Sequence, residues 1–144
     1  MNDSDFMRRA LALASAGVGA TGDNPSVGCV IVKDGAVIAQ AATGAGGRPH
    51  AEELALRGID ARGATVFVTL EPCAKRSVSG IPCADLLAAA GVSRVVVAAR
   101  DPHPFAAGAG IERMINAGVD VEVGLLEPAA RAQLADFLAK WEKS

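Results

Sequence analysis

The sequence predicts an α/β fold: a three-layer α/β/α sandwich in which a mixed five-stranded sheet carries helices on both faces. Two observations predict it. Two apolar runs joined by Asp34-Gly35 open the pattern, and Asp-Gly between such runs is a strong signal for an antiparallel hairpin. Three further β-branched or apolar runs then alternate with helical stretches, the arrangement that parallel strands joined by crossover helices require. A hairpin and parallel crossovers in one sheet make it mixed, and buried runs of this kind need cover on both faces.

The elements follow in order. Residues 4–20 (SDFMRRALALASAGVGA) read as a helix, with Ser4 as a candidate N-cap, Ala and Leu as good helix formers, and Gly17 and Gly19 to end it. Residues 27–33 and 36–41 are the hairpin strands. A loop spans Gly44 to Pro49, and His50 to Arg57 reads as a helix. Residues 64–70 (ATVFVTL) form a buried strand by their β-branched content. A turn-rich loop from Glu71 to Pro82 leads to a helix over Cys83 to Ala90. Ser93 to Ala99 is the next buried strand, Gly108 to Ala117 a helix, Val119 to Val123 the last strand and Pro128 to Glu142 the final helix. Gly91 and Gly118 stand where helix passes to strand. With no internal repeat, low-complexity tract or linker, residues 1–144 read as one domain, long enough to bury a real core.

Composition narrows the function. Half of the residues are hydrophobic, yet only four Phe and one Trp are aromatic, so Ala, Val, Leu and Ile must build the core. A formal net charge of −2 provides no broad basic field, which argues against a polynucleotide partner gripped by charge, although a few local cations could hold one phosphate. Met1 to Arg9 is not followed by a signal-peptide pattern, and no run approaches the ~18 apolar residues that span a bilayer. The expectation is a cytoplasmic protein without a membrane partner. Three cysteines in that compartment read as metal-binding or catalytic groups before disulfides.

Three short pieces carry the chemistry: Pro49-His50-Ala51-Glu52, Glu71-Pro72-Cys73 and Pro82-Cys83. One imidazole and two thiolates form a three-ligand zinc site that leaves the fourth tetrahedral position open, as catalytic zinc requires. Such a metal makes water acidic enough to react at neutral pH, and Glu52, two residues from the histidine, is placed to move its protons. Each ligand follows a proline. Proline suits the first turn of a helix, so His50 and Cys83 are expected at helix N-termini, where anions such as thiolates are stabilised. Cys29, inside an apolar run, reads as a small buried hydrophobe.

Taken together, His-Ala-Glu, Pro-Cys and a later Cys resemble the zinc signature of the cytidine deaminase superfamily, in which the Glu shuttles protons and is not a ligand. The nine residues between Cys73 and Cys83, where many members keep two, are similar to the deaminase domain of riboflavin biosynthesis (RibD-type) proteins. Further segments resemble that branch: Asn24-Pro25-Ser26-Val27-Gly28-Cys29-Val30, Thr69-Leu70-Glu71-Pro72-Cys73, Asp101-Pro102-His103-Pro104 and Ala117 to Gly124. The resemblance runs from about Met7 to Phe137. It implies the cytidine deaminase fold, Zn2+ as cofactor, a small amino-pyrimidine substrate and a homodimer or larger homo-oligomer. It also implies that Asn24, otherwise a turn residue before Pro25, hydrogen-bonds the substrate and that the Ala51 backbone contacts the ring. Asp101 is a further substrate contact, and His103 is either a pocket residue or a loop histidine with local partners.

The resemblance has gaps. RibD-type sequences carry a His two residues after the Cys of TLEPC, where this chain has Lys75, and the following basic-Thr-Pro run is absent. Thr43 stands where a His precedes the zinc His by seven residues, and His103 replaces an Asn. These departures fall at positions that hold the substrate's ribosyl phosphate. Lys75 and Arg76 either replace the lost phosphate contacts or form a solvated loop pair, and Arg48 is either a pocket residue or a surface cation. The expectation is a deaminase domain alone, without the reductase domain that accompanies many such deaminases. The leading expectation is deamination of 2,5-diamino-6-ribosylamino-4(3H)-pyrimidinone 5′-phosphate. The alternatives are another nucleobase, nucleoside, nucleotide or heterocycle, or a non-catalytic zinc-binding domain.

Overall fold

The structure, a computed structural model, describes residues 1–74, 80–102 and 108–142. Five strands form one sheet in the order β2-β1-β3-β4-β5. They are β1 (Gly28–Lys33), β2 (Ala36–Ala42), β3 (Thr65–Leu70), β4 (Arg94–Ala99) and β5 (Asp120–Val123). β1 is antiparallel to both β2 and β3, whereas β3, β4 and β5 run parallel. The expected mixed sheet is therefore present. The hairpin turn has positive φ at both Asp34 (52°) and Gly35 (77°), the conformation that a two-residue turn demands and that Asp-Gly tolerates.

Helix α1 (Asp3–Ser15) packs on β1, β2 and β3, and α5 (Glu127–Gln133) joins it on that face against β4. On the opposite face α2 (Ala51–Leu56) covers β1 and β2, and α4 (Ala109–Asn116) covers β5. α3 (Cys83–Ala89) packs between α2 and α4. The central strands are buried nearly throughout, which is why their sequences are continuous apolar runs, while the edge strand β2 alternates exposed and half-buried positions. Val30, Ile31, Val66, Phe67, Val68, Val95, Val96 and Val97 form the centre of the core, with Met7, Leu87 and Met114 from the helices.

The first helix starts earlier than Ser4 and stops earlier than Gly17. Asn2, not Ser4, is its N-cap: the Asn2 side chain accepts from Asp5 N–H (2.9 Å), and the Asp5 carboxylate accepts from Asn2 N–H (3.0 Å). That reciprocal pair is a capping box formed with Asp in place of Glu. The predicted final helix is two segments, α5 and α6 (Ala135–Glu142), separated at Leu134. Hydrogen bonding runs on through the junction, from Leu134 N–H to Ala130 O (3.0 Å) and from Leu138 N–H to Leu134 O (2.8 Å).

The topology sets where chemistry can occur. Gly28 at the start of β1 pairs with Ala42 at the end of β2, and Cys29 pairs with Val68 near the end of β3. Leu70 lies beside Ala99 at the ends of β3 and β4. The loops before β1, after β2, after β3 and after β4 therefore leave one edge of the sheet. At the carboxyl ends of parallel strands, this is where open α/β sheets place ligands.

Candidate active site

His50 is the N-cap of α2, and Cys83 is the first residue of α3, directly after Pro82. The expectation of two ligands at helix N-termini holds. Their prolines, however, precede the helical turns instead of sitting inside them: Pro82 is itself an N-cap residue. Cys73 comes from the loop after β3. Its sulfur accepts the Cys83 backbone N–H (3.3 Å), and its carbonyl accepts that of Ala84 (3.0 Å). Two otherwise unpaired donors at the start of α3 thus fasten the Cys73 loop to it.

The three donor atoms of His50, Cys73 and Cys83 lie within 4.8 Å of one another. His50 Nδ1 stands 3.3 Å from Cys83 Sγ and 3.9 Å from Cys73 Sγ. A tetrahedral zinc with Zn–N and Zn–S bonds of about 2.1 and 2.3 Å separates its N and S ligands by about 3.5 Å, so the cluster fits the ion with little movement. The thiols fit it chemically as well. The hydrogen bond with Cys83, outweighing burial and helped by His50, brings Cys73 down to about 4. The same interaction, together with burial, pushes Cys83 up. A metal binds the deprotonated thiolates, so its binding releases protons from this pair.

Glu52 is 4% exposed and lies on the first turn of α2. Burial raises its carboxyl pKa from 4.5 to about 7; the His50 charge opposes this, and the Cys73 and Glu53 charges add to it. A buried carboxyl poised near neutrality beside a metal site is suited to take up and return a proton. Glu53 has a different task, for its Oε1 accepts the His50 backbone N–H (3.1 Å) and sets the histidine at the helix start. Cys29 is fully buried in β1 and stands outside the donor cluster, as read. Burial first, and the Glu52 charge second, raise its thiol well above the usual value.

The sequence-derived substrate positions are placed unevenly. Asn24 Nδ2 donates to Gly47 O (2.9 Å), so this residue also ties the loop before β1 to the loop before α2. Gly46 N–H to Ala20 O (2.8 Å) is a second tie between them. Gly47, at φ 99°, could not carry a Cβ without meeting Thr21 O at 2.5 Å. Ala51 is fully buried at the start of α2, and Asp101 is buried in the loop after β4. Lys75, Arg76 and His103 lie outside the described residues. Arg48 is half-buried, and its Nη1 is buried with no hydrogen-bond partner among the described residues. Thr43 has become structural: its Oγ1 accepts the Val27 N–H (2.9 Å) at the entry to β1.

Sequence reasoning assigned no role to Glu71 or Glu53. The Glu three residues after His50 is the spacing of a capping box and could have flagged Glu53. Glu71 is 3% exposed and accepts backbone N–H groups from Asp101 (3.2 Å), Gly108 (3.1 Å) and Ile111 (3.4 Å). Its partners lie 30, 37 and 40 residues away, so no local pattern marks them.

Residues 1–99 match the family model described as the cytidine and deoxycytidylate deaminase zinc-binding region. The chain is 47% identical over 142 residues to the riboflavin biosynthesis protein RibD of Escherichia coli (strain K12), covering 97% of this chain and 38% of that protein. It is 44% identical to RibD of Aquifex aeolicus, covering 94% of this chain and 38% of that one. The chain thus spans under two fifths of these curated relatives. Among solved structures, Acinetobacter baumannii RibD (form 2) superposes with a TM-score of 0.92 at 45% identity, covering 98% of this chain and 40% of that one. A diaminohydroxyphosphoribosylaminopyrimidine deaminase/5-amino-6-(5-phosphoribosylamino)uracil reductase from Thermotoga maritima gives 0.89 at 40% identity, covering 96% and 40%. A cyanophage dCMP deaminase at 23% identity (TM-score 0.64) shares the fold. Fold, His-Cys-Cys cluster and sequence agree, and the chain belongs to the cytidine and deoxycytidylate deaminase zinc-binding family.

Proposed function

We propose that residues 1–144 form one deaminase domain that hydrolyses the exocyclic amine of an amino-pyrimidine. The substrate we assign is 2,5-diamino-6-ribosylamino-4(3H)-pyrimidinone 5′-phosphate, the riboflavin-pathway intermediate. The observation that carries the reading is the placement of Glu52, a buried carboxyl on the first turn of α2, two residues from His50 in the His50, Cys73 and Cys83 donor cluster. Likeness to RibD proteins over nearly the whole chain supports the substrate.

In this reading His50, Cys73 and Cys83 hold Zn2+. When bound, the metal supplies the Lewis acidity that makes water a nucleophile at neutral pH. Glu52 accepts a proton from the water that adds to the amine-bearing ring carbon and returns it to the adjacent ring nitrogen. It then passes the second water proton to the amino group, which leaves as ammonia while a carbonyl remains. In the same reading Asn24 hydrogen-bonds the substrate, the Ala51 backbone contacts the ring, Lys75 and Arg76 take the phosphate, and Asp101 and His103 are further substrate contacts. The three cysteines are free, in keeping with a reducing compartment such as the cytoplasm. Assembly into a homodimer or larger homo-oligomer belongs to the same proposal and rests on the family resemblance.

The test is ammonia release from this substrate by zinc-loaded protein, with Glu52→Gln as control. The expected outcome is turnover that falls about 10²–10⁴-fold in the variant while zinc content is unchanged. Wild-type turnover in Glu52→Gln would remove Glu52 from the mechanism. No release by folded, zinc-loaded wild type, with release from another amino-heterocycle, would replace the substrate.

A further inference from the structure

We infer that Glu71 is a positioning residue: it clamps Asp101 and the start of α4 to the metal-ligand loop and so sets how the substrate seats beside the metal centre. The inference rests on the deaminase reading above. Glu71 lies two residues before Cys73, directly after β3, and is almost wholly buried. A carboxylate there is tolerated only if its lone pairs are filled. One oxygen, Oε1, accepts both the Asp101 and the Gly108 N–H, so a single atom gathers the two ends of the segment that follows β4. The other, Oε2, accepts the Ile111 N–H.

These partners explain a gap in α4. Its N-cap is Gly108, which has no side chain to satisfy the first helical donors. Ile111 is the third residue of the helix, where an N-cap side chain ordinarily accepts. Glu71 supplies that acceptor from the loop after β3. A second, independent contact holds the same junction: a Cβ on Gly110 would stand 1.9 Å from Pro72 O, so the helix start touches the backbone beside Cys73, and only glycine fits. Cys73 and Asp101 thus take their relative position from one carboxylate. Both Glu71 oxygens accept backbone N–H groups, which suits it to a positioning role.

Glu71→Gln keeps the size but turns one acceptor into an NH2 that faces an N–H donor. The expected result is zinc content equal to wild type, KM for the diaminopyrimidine ribosylamino phosphate raised about 10-fold or more, and kcat within about 3-fold. Amide exchange at Asp101, Gly108 and Ile111 should accelerate while that of β3 and β4 does not. An unchanged KM, or loss of zinc together with activity, overturns the inference. Should Glu71→Gln fail to fold, Gly110→Ala displaces the α4 start from Pro72 without altering the carboxylate. The same KM rise is expected there, and a wild-type KM overturns the inference. If the wild-type protein releases no ammonia from this substrate, the deaminase assignment has failed. Amide exchange in Glu71→Gln then decides alone, since unchanged exchange at the three amides removes the clamp.

Discussion

Glu52 is ionised with difficulty because α2 buries it against the sheet, and that has a consequence beyond proton transfer. Its folded-state pKa of about 7 lies above the ordinary 4.5. Between those values the folded chain binds a proton that the unfolded chain has released. The Glu52 contribution to the stability of the metal-free protein therefore falls as pH climbs from about 4.5 to 7 and is level above that. The shift is worth about 3 kcal/mol. Metal-free Glu52→Gln is predicted to be more stable than metal-free wild type by up to this amount at pH 8, and to match it near pH 4. Urea unfolding across that range measures the difference, and a gap that does not change with pH would show that burial of the charge is not its cause. At the same scale, the grouping of His50, Cys73 and Cys83 was legible in the sequence, because their residue types are those a metal requires, and their donor atoms do lie together. Glu71 was not, because its meaning lies in three amides that only folding brings to it.

The elements were legible where local rules act alone. Asp34-Gly35 adopts positive φ at both residues, and the β-branched runs became the buried strands. Helix ends were less so. Asn2 competes successfully with Ser4 because Asp5 can return its hydrogen bond. Two glycines separate local from tertiary demands. A Cβ on Gly35 meets nothing within 4 Å, so Gly35→Ala costs only the strain of a left-handed backbone, about 1 kcal/mol. A Cβ on Gly28 would lie 1.8 Å from Ala10 O, so Gly28→Ala must push α1 off the sheet, at about 3 kcal/mol. Urea denaturation of the two variants should place them in that order. Equal losses would mean that α1 is free to move away from β1.

At the scale of the molecule, the three metal donors come from separate segments: the start of α2, the loop after β3 and the start of α3. An unfolded chain does not hold them together, so zinc binds the folded state and stabilises it by mass action. At free zinc about 1,000-fold above its Kd the gain is about 4 kcal/mol, a rise in Tm of roughly 10 °C for a chain of this length. Differential scanning with and without chelator checks this. Cys83→Ala should abolish the zinc-dependent part of Tm, and a full zinc response in that variant would place the metal elsewhere.

The sequence by itself determined the mixed α/β architecture, the hairpin, and the residue types of the donor set, because hydrophobic period, turn chemistry and metal-ligand chemistry are local properties of a chain. Only the tertiary structure decided that the donors meet, since Cys73 lies 23 positions and Cys83 33 positions beyond His50 in the chain. It also decided that Glu52 is buried enough to hold a proton near pH 7 and that Thr43 serves the entry to β1. These are outcomes of contact between distant segments, and a carboxyl's pKa or an amide's partner depends on what surrounds it in space.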